Sequence, residues 1–291
     1  MSSDIMPMTE PRPRRQRSQG SGAADAALLF DEPGPRGRIL IAIGSVVAVI
    51  GIAALAAAVL YRLDLAGQLD YPKWRYFLGQ SVVSQLLEAA GTTLTLGGVA
   101  AVLTFPLGIA LGWLRLLDNR PIKWLIGLWI DAMRAVPMLL LVYFFLLVVP
   151  RFATISDFWK LALPIVMCTS ATTAEVFRSG VRALDRGQTE AAWALGMSPS
   201  LTMRLILAPQ ALRLMLPTLV TQMVTIIKGT TLAYVLAYPE LMYRGSTMIG
   251  QAKIDAHLSV FFQTYVIIAV LYIIVNWSLG ALARYIESHT R

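Results

Sequence analysis

The chain has 291 residues, 56% of them hydrophobic and only 14% charged, with a mean hydropathy of +0.62. Soluble domains carry about 25% charged residues, so this composition excludes an ordinary soluble domain and points to a membrane protein. The net charge of +8 does not signal nucleic acid, because the arginines cluster beside apolar runs and form no basic stripe interleaved with stacking aromatics.

In chain order, Met1 to Arg38 is rich in Pro, Gly, Ser and Arg and poor in large apolar residues. It cannot bury enough surface to offset its ordering entropy, and it predicts a disordered cytoplasmic tail over 1–38. Ile39 to Leu60 runs without a charge. As a helix rising about 1.5 Å per residue it crosses a hydrocarbon core of about 30 Å. The run is too long for the apolar region of a cleaved signal peptide, about 7–15 residues, and Arg14-Arg15 lies too far away for a twin-arginine signal. Tyr76 to Gly91 reads as an interfacial helix. Apolar spans follow at Thr92 to Leu114, Ala132 to Val149, Phe158 to Phe177, Leu216 to Tyr238 and Val260 to Leu282. The Trp-bearing Ile122 to Ile130 reads as interfacial, Pro106 and Pro137 as kinks, and Lys228-Gly229 as a break in the fourth span where a helix could unwind. The expectation is an all-α polytopic membrane protein of about six spans. Cys168, the single cysteine, excludes an intrachain disulfide and reads as a small core residue. Gly108 and Gly112 form a GxxxG step suited to close helix packing.

Lys and Arg orient the chain. With the N-terminus in the cytoplasm, inside segments carry Arg115, Arg120, Lys123, Arg178, Arg182, Arg186, Arg204 and Arg213 besides the tail arginines and the C-terminal Arg284 and Arg291. Outside segments carry Arg62, Lys73, Arg75, Arg151, Lys160, Arg244 and Lys253. The inside excess is about two to one, and both termini are then cytoplasmic.

This orientation puts a polar interruption, residues 183–210, in the cytoplasm. Arg186 to Ala194 predicts a short helix, Gly196 a left-handed stop, Ser198-Pro199 the cap and first position of a second helix, and Pro209 its end or kink. Small Ala191 and Ala192 would let a helix lie deep in a partner's groove, and Glu190 would supply a charge-assisted hydrogen bond. An ordinary helix–turn–helix loop fits the same grammar.

Glu190-Ala191-Ala192, three residues, Gly196, nine residues, then Ile206 and Pro209 resembles the EAA loop of binding-protein-dependent ABC importer permeases. Ala208 departs from the Leu usual before that proline. Met133-Arg134-Ala135-Val136-Pro137, Ala174 to Gly180 and Lys228 to Leu232 resemble elements of the polar amino acid permeases. Gly229 replaces an acidic residue of the family, so that acid's role does not carry over. The stretch from Leu29 to Arg38 before the first span, with its Asp31 to Gly37 run, and Asn276-Trp277-Ser278-Leu279 look like those of glutamate-uptake permeases. The resemblance implies a type I importer transmembrane domain over 76–285, its five-helix core preceded by an added helix at 39–60. It implies a multi-pass permease of a bacterial cytoplasmic (inner) membrane that imports a polar amino acid, glutamate or aspartate. Implied partners are an ATP-binding cassette ATPase dimer, a second identical or homologous permease subunit, an extracytoplasmic substrate-binding protein and membrane lipid. Glu190, Ala191, Ala192, Gly196, Ile206 and Pro209 would couple to the ATPase. No cofactor is expected on this chain, and ATP and Mg²⁺ would sit on the ATPase, since no Gly-x-x-x-x-Gly-Lys-Ser/Thr loop occurs.

A charge at the bilayer centre costs at least ~2.5–3.5 kcal/mol on insertion scales, so charges within apolar spans usually face a cavity or a partner. Arg134, Glu175, Arg178 and Lys228, with Thr230 and Thr231, are candidates for the substrate pathway. For Arg134, Glu175 and Arg178, an ion pair fixing helix packing, or snorkelling arginines, is the competing reading. His257 and His289 show no ligand spacing, so no metal site is expected. An ion-coupled secondary amino acid transporter is the rival function, though it gives no reason for the Glu190 spacing. A membrane-embedded enzyme lacks a nucleophile–base pair.

Overall fold

The computed structural model describes residues 34–290. The expected tail thus lies outside the described residues as far as position 33, together with the first part of the stretch from Asp31 to Gly37. Helix α1 covers Pro35–Leu65, beginning ahead of Ile39 and running past Leu60. A proline in its first turn gives up an N–H that would have no partner there, so the helix can start before the apolar run. The chain divides into two units between Ala66 and Gly67, and α1 is the described part of the first. Large apolar side chains such as Ile43, Val47, Ile50 and Leu55 run along it, as a helix long and apolar enough to cross a membrane requires.

The second unit opens with α2 (Tyr71–Arg75) and a 3₁₀ turn (Tyr76–Leu78) before α3 (Gln80–Leu116). The interfacial helix expected over Tyr76 to Gly91 is not separate. Gly79 is extended and breaks the chain, and from Gln80 the amphipathic stretch runs unbroken into the apolar one. Nothing stops it at Thr92. The hydroxyls of Thr92, Thr93 and Thr95 donate to carbonyls four residues back and leave the helix ladder intact. Pro106 lies inside α3 without ending it.

The expected Ala132-to-Val149 span is also redrawn. Helix α4 (Arg120–Ala135) absorbs its start, α5 (Met138–Leu147) its remainder, and the chain bends by 96° between them. Pro137 disfavours the helical region for Val136, which is extended. After a 3₁₀ turn (Val149–Arg151) come α6 (Asp157–Arg182), α7 (Arg186–Ala194) and α8 (Pro199–Thr202). A π turn (Met203–Leu207) leads into α9 (Ala208–Gly229), whose end passes into a 3₁₀ segment (Thr230–Leu236). The break thus comes at Gly229, where the sequence placed it. Helices α10 (Leu241–Asp255) and α11 (Phe261–Thr290) complete the chain. All of these elements are helical.

Among the described residues, four helical runs are long and apolar enough to cross a membrane, or five if the bent α4–α5 pair is one span. Helix α6, which contains the expected Phe158-to-Phe177 span, is long enough but not apolar enough. It carries Thr169, Ser170, Thr172, Thr173 and Glu175, a content it tolerates because it is the central helix, packed against α3, α4, α5 and α9. Thr169, Thr172 and Thr173 donate to carbonyls four residues back along the helix. Cys168 is buried here, as expected of a core residue.

The seam between α3 and α6 sits at the GxxxG step. A Cβ on Gly108 would stand 2.5 Å from Thr173 Cβ and 2.9 Å from the Ser170 carbonyl oxygen. One on Gly112 would stand 2.6 Å from the Ala174 carbonyl oxygen. One turn above, Thr104 Oγ1 and Thr169 Oγ1 hydrogen-bond at 2.8 Å. Apolar layers continue along the seam, with Leu96, Val142, Leu161 and Ala162 at one level and Ala100, Ala101, Ile165 and Ile226 at the next. Phe177, Ala208, Ala211 and Met215 join α6 to α9 below.

Gly108→Ala is expected to destabilise the protein by about 1–3 kcal/mol through overpacking. Gly91→Ala, at a helical site with open space around it, is expected to be neutral or to gain up to ~1 kcal/mol from helix propensity. Melting temperatures of the two purified variants check this contrast, and equal shifts would contradict it.

Candidate functional site

The polar interruption folds as a stitched elbow between α6 and α9. Asp185 caps α7 by accepting from the Gly187 N–H at 2.7 Å. The other end is closed by Met197 N–H to the Ala192 carbonyl at 3.0 Å and Gly196 N–H to the Trp193 carbonyl at 2.9 Å, with Gly196 left-handed at φ 77°. Ser198 Oγ accepts from the Leu201 N–H at 3.3 Å and caps α8. Gln210 Nε2 donates to Gln188 Oε1 at 3.3 Å, tying α7 to the start of α9. Pro209 neither ends nor breaks the second helix. The Ala208 N–H reaches the Met203 carbonyl five residues back, a wide turn just ahead of the proline's missing donor.

The two alanines do different things. Ala192 is 1% exposed, buried like Thr202 of α8, while Ala191 is exposed. The small side chain at Ala192 therefore serves packing within the elbow, and only Ala191 is open to a partner. Glu190 is exposed and forms no ion pair among the described residues. Ile206 is half-buried and Pro209 exposed. The sequence reading missed a set of apolar side chains left open on the elbow: Trp193 (56% exposed), Leu195 (81%), Leu201 and Leu205. Their signal was four large apolar residues in a segment otherwise read as polar.

A second polar face lies higher. Glu175 is held by Arg178 on its own helix and by Arg115 Nη1 of α3 at 3.1 Å. Arg115 Nη2 also reaches Asp131 of α4 at 3.0 Å. The packing reading thus fits Glu175 and Arg178, whose charges are used in a cluster joining three helices. Arg115 and Asp131 were not picked out as members, because nothing in sequence spacing links positions 115 and 175. Arg134 is exposed and lines an open cavity with Thr172, Glu175, Ser179 and Thr218. From that cavity Thr218, Thr221, Thr225 and Lys228 follow one another up one exposed face of α9. Thr221 and Thr225 donate to carbonyls along α9, leaving hydroxyl oxygens to accept outward. Lys228 is exposed and without an ion pair among the described residues. Thr231 donates to the Lys228 carbonyl at 2.8 Å. Thr230 is fully buried and donates to the Ile227 carbonyl, so it does not share the exposed face.

Just beyond the 3₁₀ segment, Glu240 is 0% exposed. It accepts from the Met242 and Tyr243 N–H groups at 2.9 and 2.8 Å and from Tyr272 Oη of α11 at 2.8 Å. Beside it the Leu241 N–H donates to Thr93 Oγ1 of α3 at 3.2 Å. Glu is outside the usual set of capping residues, which is why its role was not legible in the sequence. No group of metal-ligating side chains occurs among the described residues.

The family model described as "Binding-protein-dependent transport system inner membrane component" matches residues 104–289. The chain is 34% identical over 196 residues to "Probable glutamine ABC transporter permease protein GlnP" of Bacillus subtilis (strain 168), covering 67% of this chain and 88% of that protein. It is 33% identical over 230 residues to "Glutamate transport system permease protein GluD" of Corynebacterium glutamicum, covering 77% and 82%. A solved structure, "Crystal structure of an amino acid ABC transporter with histidines", superposes with a TM-score of 0.64 at 24% identity, over 72% of this chain and 95% of that one. At that identity the likeness concerns the fold.

Burial pushes the Glu240 carboxyl above the usual carboxylate range, against the N–H groups of Met242 and Tyr243 and the Tyr272 hydroxyl, which pull it down. A carboxyl whose folded pKa is raised adds stability that is complete below its unfolded value of about 4.3 and is lost as pH rises through the folded value. Glu240 is therefore expected to add to the melting temperature's pH slope a contribution that favours the folded state as pH is lowered toward about 4.3, and Glu240→Gln to remove that contribution. An unchanged slope in the variant would exclude Glu240 as its source.

Proposed function

The chain belongs to the binding-protein-dependent transport system inner membrane components, and on that footing we propose that it conducts glutamate or aspartate inward, driven by a separate ATPase. It is the multi-pass permease subunit of an amino acid importer, a transport component and not an enzyme.

The elbow at 183–210 is read as cytoplasmic, with both termini on that side. It is the one place where the larger unit offers Glu190, Ala191, Trp193 and Leu195 together on a short, internally stitched lever. Apolar side chains left open at an aqueous boundary suit a protein partner. An ATP-binding cassette dimer holding ATP and Mg²⁺ would grip this lever and swing α6 and α9, to which it is joined at each end. A second permease copy or homologue would face the exposed side of α9, and an extracytoplasmic binding protein would deliver substrate.

The observation that carries the substrate reading is Lys228: a cation exposed within an apolar span, without an ion pair among the described residues, at the head of a hydroxyl-lined face that descends to Arg134. Such a charge is tolerated in a membrane where it lines a wet path or meets a counter-charge, and a carboxylate-bearing substrate supplies both. The glutamate named in the Corynebacterium relative agrees with that chemistry.

Lys228→Met in the reconstituted complex is expected to raise the KM for glutamate about tenfold or more, the loss of one charge-assisted contact of ~1.5–3 kcal/mol. Radiolabelled uptake with Asp, Gln, Arg and His as challengers measures it, and unchanged kinetics would remove Lys228 from the path. Glu190→Arg is expected to leave the ATPase hydrolysing while uptake falls. Tight coupling in that variant, read as transport per ATP in vesicles, would take the elbow out of the drive train.

A further inference from the structure

Helix α4 carries a surface that neither the coupling nor the substrate reading uses. It meets α3 and α6 through one apolar cluster. Ile130 packs with Ala171 and Ala174, joined by Leu111, Ile126 and Met133, and Gly127 lies beneath the Arg115 guanidinium. Beyond Pro137 the chain turns by 96° and follows α6 away from this cluster. The cluster lies at the ends of α3 and α6 nearest the elbow, so α4 sits at the same edge of the bundle. Its outward side is amphipathic. Trp124 (70% exposed), Leu125 (61%), Leu128 and Trp129 are open, while Arg120 and Lys123 of the first turn are exposed and form no ion pair among the described residues.

Arg120, Lys123 and Trp124 are neighbours on one flank at helical spacing three and four. A ring with an apolar body and a polar N–H belongs at headgroup depth, and long cationic side chains reach from there toward phosphate. We infer that α4 is a seat for an anionic phospholipid of the leaflet on the elbow's side, with Arg120 and Lys123 holding the phosphodiester, Trp124 and Trp129 at headgroup depth and Leu125 and Leu128 lying against the acyl chains. Two cations with no ion pair among the described residues favour a lipid with net negative charge over a zwitterionic one, whose phosphate is offset by its own ammonium. Each basic residue near the surface contributes about fivefold in affinity toward such a lipid. The exposed carboxylate of Asp118 in the preceding loop pairs with neither cation, so the seat stays positive. Assigning the leaflet to the cytoplasmic side rests on the orientation proposed above, whereas lipid binding does not.

The test uses the whole complex with its ATPase, in nanodiscs of phosphatidylcholine with and without phosphatidylglycerol. Native mass spectrometry counts retained phosphatidylglycerol, and hydrolysis and melting are followed in parallel. The wild type is expected to retain the anionic lipid with about tenfold or greater preference over the Arg120→Gln/Lys123→Gln variant. Arg120→Lys/Lys123→Arg, which keeps both charges, is expected to restore retention, separating charge from misfolding. Equal retention by wild type and the Gln variant would overturn the seat, as would an equal loss in Arg213→Gln, a change to another exposed arginine. No retention in any form would also overturn it and mean that α4 is covered by protein. A maleimide added from outside to Leu195→Cys in intact cells reports sidedness separately. Labelling there would sink the orientation and leave a lipid seat in the opposite leaflet.

Discussion

The larger unit is organised by the close approach of α3 and α6. In a bilayer, lipid tails compete equally for apolar side chains, so two long helices associate through intimate backbone contact and buried hydrogen bonds. Gly108 and Gly112 supply the first and the Thr104–Thr169 bond the second. Once that seam exists, α6 is surrounded, and its threonines and Glu175 can stand where a lipid-facing helix would need apolar residues. The elbow follows because it leaves α6 at Arg182 and enters α9 at Ala208, which packs on Phe177. A lever fixed at both ends to one packed block can transmit force, which a loose loop could not.

The same seam explains how polar groups are divided. Arg115, Asp131, Glu175 and Arg178 satisfy one another across three helices and hold the bundle edge together. Lys228 is left over at the head of the hydroxyl-lined side of α9, whose foot is bounded by Arg134 beside Glu175. In a medium that penalises every uncompensated charge, a leftover cation is the informative one. Glu240 is the opposite case, a carboxylate enclosed by donors at the joint between α10 and α11, where it anchors the chain that follows the broken span.

Much of this was legible in the residues. Capping grammar located α7 to its ends, put Gly196 in the left-handed region and started α8 at Ser198-Pro199, because these are local decisions made by a few backbone groups. Lys228-Gly229 marked the change from α to 3₁₀ geometry for the same reason. What was not legible depended on distant neighbours. Hydropathy took Phe158 to Phe177 for an ordinary span, since no window reveals that four other helices will shield it. Pro137 was read as a kink, but the size of its 96° turn depends on where α4 finds room against α3 and α6. The burial of Ala192 and the reach of Arg115 to Glu175 are likewise consequences of assembly.

Cys168 has a practical consequence for watching this machine move. The lone thiol is walled inside α6, where maleimides and spin-label reagents reach it far more slowly than a thiol on an aqueous edge. A cysteine introduced at the elbow tip would therefore be the dominant reactive group without removal of the native one. Distance spectroscopy between two such probes could then follow the stroke in an otherwise unaltered chain.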